Sequence, residues 1–190
     1  MLTMSPKMKI CIFPKSQASG ISLRGTHQRY ILVCLVQQLS SMTKGALAKE
    51  LAKKFKISLR NAYTHVYQEL NDNLVPSGIV EVDGFLPATR GPRVFQMNGV
   101  PCFRLSLLGT VVAASLDEID VEKRIELLQQ YLGDDSIVQQ IGRDTKDEIL
   151  SHLDKFPDFT LELIRYCVVQ FLEGKTRYPL ENLKKKKRRL

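Results

Sequence analysis

Arg60 and Asn61 stand side by side at the start of a stretch with helical spacing, and both carry base-reading chemistry. A guanidinium fork matches guanine O6 and N7 together, and a carboxamide matches adenine N6 and N7 in the same bidentate way. Ser58, just upstream, is a good N-cap, and a capped helix start facing outward is a favourable place for a phosphate. Farther along, Arg90 and Arg93 flank a Gly91-Pro92 turn. Two arginines held this way can reach a minor groove or adjacent phosphates. Each of these residues also has a plainer reading as solvated surface, so the elements that carry them matter.

Other chemistries are poorly supplied. Cys11, Cys34, Cys102 and Cys167 form no CxxC and have no nearby histidine pair, which predicts free thiols in a reducing compartment. His27, His65 and His152 share no metal-ligand spacing, so no metal or other cofactor is expected. There is no GxSxG, P-loop or dinucleotide-binding glycine pattern. The acid pairs Asp117-Glu118 and Asp134-Asp135 fall at expected helix starts, where the helix dipole favours them. The chain is therefore not expected to be an enzyme.

The 190 residues carry 28 Lys+Arg against 20 Asp+Glu, a formal charge of +8. Its distribution is more telling than its sum. Residues 1–25 carry +4, residues 26–116 +5, residues 117–183 −7 and residues 184–190 +6. A polyanionic partner suits the basic parts, and some other task the acidic one. The longest apolar run, Tyr30 to Val36, is far too short for a bilayer span, and the start has no signal-peptide pattern. An intracellular location is expected: cytoplasm or nucleoid, or the nucleus in a eukaryote. The six consecutive bases Lys184 to Arg189 would then pass for an import signal and would add salt-sensitive affinity near nucleic acid.

Apolar periodicity places a helix over residues 27–40, buried on much of its circumference, after an irregular basic arm over residues 1–25. Ser41-Met42-Thr43 reads as a break, with Thr43 capping a helix from Lys44 to Phe55. Ser58 caps a third helix from Leu59 to about Asn73, its inward positions Ala62, Val66 and Leu70. Alternation predicts strands over residues 79–83 and 102–107, joined by a Gly/Pro-punctuated loop over residues 84–101. Ser106 or Thr110 opens another helix.

The run from Leu47 to Val66 (LAKELAKKFKISLRNAYTHV) resembles a helix-turn-helix, and Cys102 to Thr110 (CFRLSLLGT) looks like the last wing strand of winged-helix regulators. Over about residues 27–116, within a domain placed at residues 26–116, the chain is most similar to regulators of the PadR and MarR type. One departure is visible: Lys56 stands where such turns usually have Gly, and a left-handed backbone there costs a side-chain-bearing residue about 1–2 kcal/mol. The resemblance implies a mainly α fold with a small β-wing, a winged helix-turn-helix domain plus a C-terminal helical extension. It implies a sequence-specific transcriptional regulator of double-stranded DNA. The third helix would enter the major groove with Ser58, Leu59, Arg60, Asn61, Tyr63, Thr64 and Tyr67. Lys44 would add to the positive field of the preceding helix, and the wing, with Arg90 and Arg93, would touch the backbone or minor groove. A winged helix used as a protein-interaction subunit is the main alternative, and an RNA or replication role a third.

The acidic region reads as packing surface. Val121, Ile125, Leu128 and Leu132 form a short heptad-like seam. Thr145 to Glu148 reads as a capping box, Pro157 as the end of that helix, and Asp158 as the cap of a broad apolar helix running to Gly174. In the resembling regulators such helices make the dimer, so a homodimer through residues 117–175 is implied, with residues 179–190 a basic tail.

Overall fold

The computed structural model describes residues 10–14, 20–38, 41–88 and 91–186, except the side chains of Val94, Phe95 and residues 184–186. The protein is mainly helical, with a small antiparallel sheet, and divides into two units, Met1–Ser106 and Leu107–Leu190.

In the first unit, α1 (Leu23–Gln37) starts four residues before the sequence expectation, capped by Ser22 Oγ, which accepts from the Gly25 N–H at 3.1 Å. Gly25 reads as a helix breaker, yet here it is required. Any Cβ on it would run into the Cys11 carbonyl oxygen. That close approach lets residues 10–14 of the arm pack on α1, with Ile12 wholly buried. The Cys11 N–H donates to Gln28 Oε1 at 2.8 Å, and Arg29 Nη1 donates to the Ile12 carbonyl at 3.3 Å. From Ile31 to Val36 every side chain of α1 is buried, which makes α1 the centre of this unit's core.

The expected break at residues 41–43 is a strand as well as a cap. β1 (Met42–Thr43) pairs with β3 (Val100–Leu105), Met42 against Phe103, while Thr43 Oγ1 caps α2 (Lys44–Phe55) by accepting from the Ala46 N–H. A two-residue strand is too short for alternation to reveal. α3 (Leu59–Glu69) then runs into a π-helical turn, Leu70–Leu74, so the stretch ends near the expected position but not as α-helix. β2 (Val80–Leu86) and β3 form a hairpin, giving the sheet order β1-β3-β2. The expected loop over residues 84–101 is largely structured. It holds the end of β2, a bulge between Val82 and Phe85, a six-residue helix α4 (Arg93–Asn98) and the first residues of β3.

The second unit begins with α5 (Leu107–Ala114), buried from Gly109 to Ala114. It packs on α6 (Val121–Gly133) and α9 (Pro157–Leu172), with α7 (Asp135–Ile141) and α8 (Arg143–Lys155) between them in sequence. Asp117 ties this group together: its carboxylate meets Arg165 Nη1 at 2.6 Å and Arg124 Nη1 at 3.8 Å, and Arg124 Nε donates to the Ala114 carbonyl at 2.8 Å.

Several expectations for this unit are corrected. The buried stripe of α6 is Arg124, Leu127, Leu128, Tyr131 and Leu132, while Val121 is exposed, because a helix packed against α5, α7, α8 and α9 buries a wider face than a heptad seam. Thr145 is not a cap. α8 starts at Arg143, and Thr145 is buried inside its first turn. Pro157 opens α9 as its first residue, where its missing N–H costs nothing, and Asp158 lies in the first turn. At the start of the tail, Pro179 and Leu180 are buried and α10 (Glu181–Lys186) follows.

Candidate functional site

α2 and α3 are joined by a three-residue turn with the left-handed residue expected of it. Lys56 has φ 52° and ψ 40°, and among the described residues it is the one non-glycine at positive φ. Its N–H and that of Ile57 both reach the Ala52 carbonyl, the latter at 3.2 Å, which closes the C-terminus of α2. The residue before it is anchored by aromatic packing. The Phe55 ring sits edge-on to His27 (4.9 Å between centroids) and to Tyr30 (5.6 Å), both on α1.

Ser58 Oγ accepts from the Asn61 N–H at 3.2 Å, so the N-terminus of α3 is capped as expected. Helical spacing then divides α3 cleanly. Ala62, Val66 and Leu70 are fully buried. Leu59, Arg60, Asn61, Tyr63, Thr64 and Tyr67 are exposed on the other side. Thr64 Oγ1 donates to the Arg60 carbonyl at 3.1 Å. The buried side is held by polar contacts too. Glu69, 4% exposed, accepts from Gln28 (2.7 Å), Asn73 (2.9 Å) and Arg24 (2.7 Å). His65, half-buried, stacks obliquely on His27 at 4.7 Å.

Lys44 is placed differently from the rest. Its ammonium donates to Asn71 Oδ1 at 2.8 Å and lies over the Tyr67 and Phe103 rings at 4.6 and 5.4 Å. Burial lowers its pKa from the ordinary lysine value. This lysine therefore braces Tyr67 from behind, joining the exposed face of α3 to the sheet. Arg93 is exposed at the start of α4, and Arg90 lies outside the described residues.

The first unit carries an excess of cations. Residues 1–106 hold fourteen Lys+Arg against five Asp+Glu. Three of those five acids are already ion-paired: Glu69 with Arg24, and Glu81 and Asp83 with Arg104 at 2.7 and 3.2 Å. Burial pushes the Cys34 thiol up to about 11.

Sequence reasoning missed a second exposed group. Val82, Phe85, Leu86 and Met97 are 46%, 60%, 53% and 77% exposed on the hairpin and α4. Phe85 and Leu86 stand next to each other in a Gly/Pro-rich stretch, which carries no periodicity to mark them. On α9, Phe159 and Tyr166 are likewise exposed, seven residues apart on one face, with Phe156 just before the helix. No helix among the described residues is long and apolar enough to cross a membrane.

No protein-family model matches the chain, and comparison with curated proteins and with solved structures gives no match.

Proposed function

We propose that the protein is a sequence-specific regulator of double-stranded DNA, built on a winged helix-turn-helix of the PadR or MarR type. The observation that carries this is the single solvent-facing side of α3. It assembles Ser58, Leu59, Arg60, Asn61, Tyr63, Thr64 and Tyr67 at and beyond a capped helix start, in a unit with a large excess of cations. The element order α1-β1-α2-α3-β2-α4-β3, with sheet order β1-β3-β2, is compatible with a winged-helix-like arrangement. In this reading Arg60 and Asn61 meet base edges, the helix start meets a phosphate, and the hairpin with Arg90 and Arg93 is the wing on the backbone or minor groove. Lys44 then acts through Tyr67 and contacts no phosphate itself. Residues 117–175 join two copies, a role supported by the uncovered Phe159 and Tyr166 on α9.

Selection from a random duplex pool, followed by titration of a selected duplex against a scrambled one, tests the reading. Affinity should fall steeply with salt, as counterion release requires. Arg60→Ala should cost about 1–3 kcal/mol on the selected duplex and much less on the scrambled one. Absence of duplex binding at low salt, or an Arg60→Ala variant that reads sequence as before, refutes it. The dimer is tested separately by light scattering: a monomer at micromolar concentration refutes that part. Heteromeric docking through α9 would instead favour the interaction-subunit alternative.

A further inference from the structure

We propose that the second unit binds a small apolar carboxylate, its charged head held by the Arg177 guanidinium and the Tyr131 hydroxyl and its body laid against aliphatic walls. The site lies wholly within residues 107–190 and is independent of the DNA-binding reading above.

A groove of about 240 Å³ forms where α5, α6, α7 and α9 meet the segment after α9. Leu107 and Leu108 of α5, Ile137 of α7, Phe171 of α9 and Pro179 give it apolar walls. Tyr131 of α6 lines it from the inside. Its side chain is 2% exposed, yet among the described residues nothing hydrogen-bonds its hydroxyl. A buried hydroxyl left without a partner is costly, so this one calls for an acceptor brought in from outside. Burial, and secondarily the Asp134 charge, push its pKa up, so it stays protonated and able to donate.

Charge selects the occupant. Arg177 carries the only charge among the lining residues, and no described carboxylate pairs with its guanidinium. The segment that presents it is held in place: Leu180 is fully buried, and the Arg177 N–H donates to Glu181 Oε2 at 2.7 Å. Asp134, the acid that acts on Tyr131, is itself engaged, accepting from the Ser136 N–H at 2.9 Å and from its hydroxyl. A guanidinium fork matches a carboxylate in geometry. One guanidinium with Asp134 and Glu181 close by suits a single negative charge better than the near-double charge of a phosphate. The groove falls below the about 300–1,000 Å³ of drug-sized sites, so the apolar body is a short one.

The experiment titrates the full chain with sodium octanoate by calorimetry, with 1-octanol as the uncharged counterpart and thermal melts in parallel. Octanoate should saturate one site per chain and raise the melting temperature, and 1-octanol should bind about tenfold more weakly or worse. Arg177 is exposed, so Arg177→Gln should fold normally, lose about tenfold in octanoate affinity and leave 1-octanol unaffected. Tyr131→Phe should weaken octanoate about fivefold while the ligand-free protein melts no lower than wild type, since the phenyl ring buries no unpartnered hydroxyl. Absence of saturable octanoate binding overturns the proposal. Equal affinity for octanoate and 1-octanol reduces the groove to an apolar surface and overturns it too. So does full affinity in either variant, or a ligand-free Tyr131→Phe protein that melts well below wild type, which would show that the hydroxyl already has its partner.

Discussion

Gln28 Nε2 donates to Glu69 Oε2 at 2.7 Å, a buried link between α1 and the last residue of α3. The same Gln28 accepts from the Cys11 N–H through its oxygen, so one side chain connects the N-terminal segment, the central helix and the exposed helix behind its solvent face. Arg24 and Asn73 complete the shell of donors on Glu69. Position and tilt of α3 are thus set by hydrogen bonds as well as by the apolar contacts of Ala62, Val66 and Leu70.

Glu69→Ala removes the acceptor these three donors share. Arg24 is partly solvated, so its pairing adds little, and the main loss is two buried amide hydrogen bonds; about 2 kcal/mol of stability should go. Urea denaturation measures it. A variant as stable as wild type would mean the network is incidental to the fold.

Acid should weaken the first unit through His27. Burial, and secondarily the neighbouring His65, lower its pKa below the ordinary 6.5, with Glu69 partly opposing them. The folded state thus keeps His27 neutral where the unfolded chain takes up a proton. Its contribution is fully present above the unfolded value and is lost as the pH falls below about 6.5 toward the folded pKa. Melting temperatures from pH 8 to pH 5 should decline, and His27→Phe should show a shallower decline over the same window. Parallel curves for the two proteins would contradict the assignment.

Lys56→Gly should raise stability by about 1 kcal/mol, because glycine adopts the left-handed conformation at Lys56 without the Cβ clash. The gain is smaller than the full strain, since glycine loses more freedom on folding. Thermal denaturation followed by circular dichroism reads it. Lower stability would show that the lysine side chain contributes more than its backbone costs.

The helical frame of the first unit was legible because its signals are local. Thr43 and Ser58 are capping side chains, α2 matches the expected bounds, and the buried triplet of α3 is written in its spacing. Start and end points were less legible where a distant group decides them. Ser22 caps α1 four residues early because Gly25 yields room to Cys11, and Pro157 opens a helix that it was expected to precede.

Sequence alone therefore determined which side chains could face a partner: Arg60, Asn61, Tyr63, Thr64 and Tyr67 follow from periodicity and a capped start. Tertiary structure decided which charges remain available. Lys44 is drawn into Asn71 and two aromatic rings by the packing of α2 beside the end of α3, and Glu81 and Asp83 are drawn onto Arg104 by strand register across about twenty residues of chain. It also decided that Phe85 and Met97 stay in solvent. Exposure of an apolar residue depends on whether the fold has a surface left to cover it, and no local pattern contains that information.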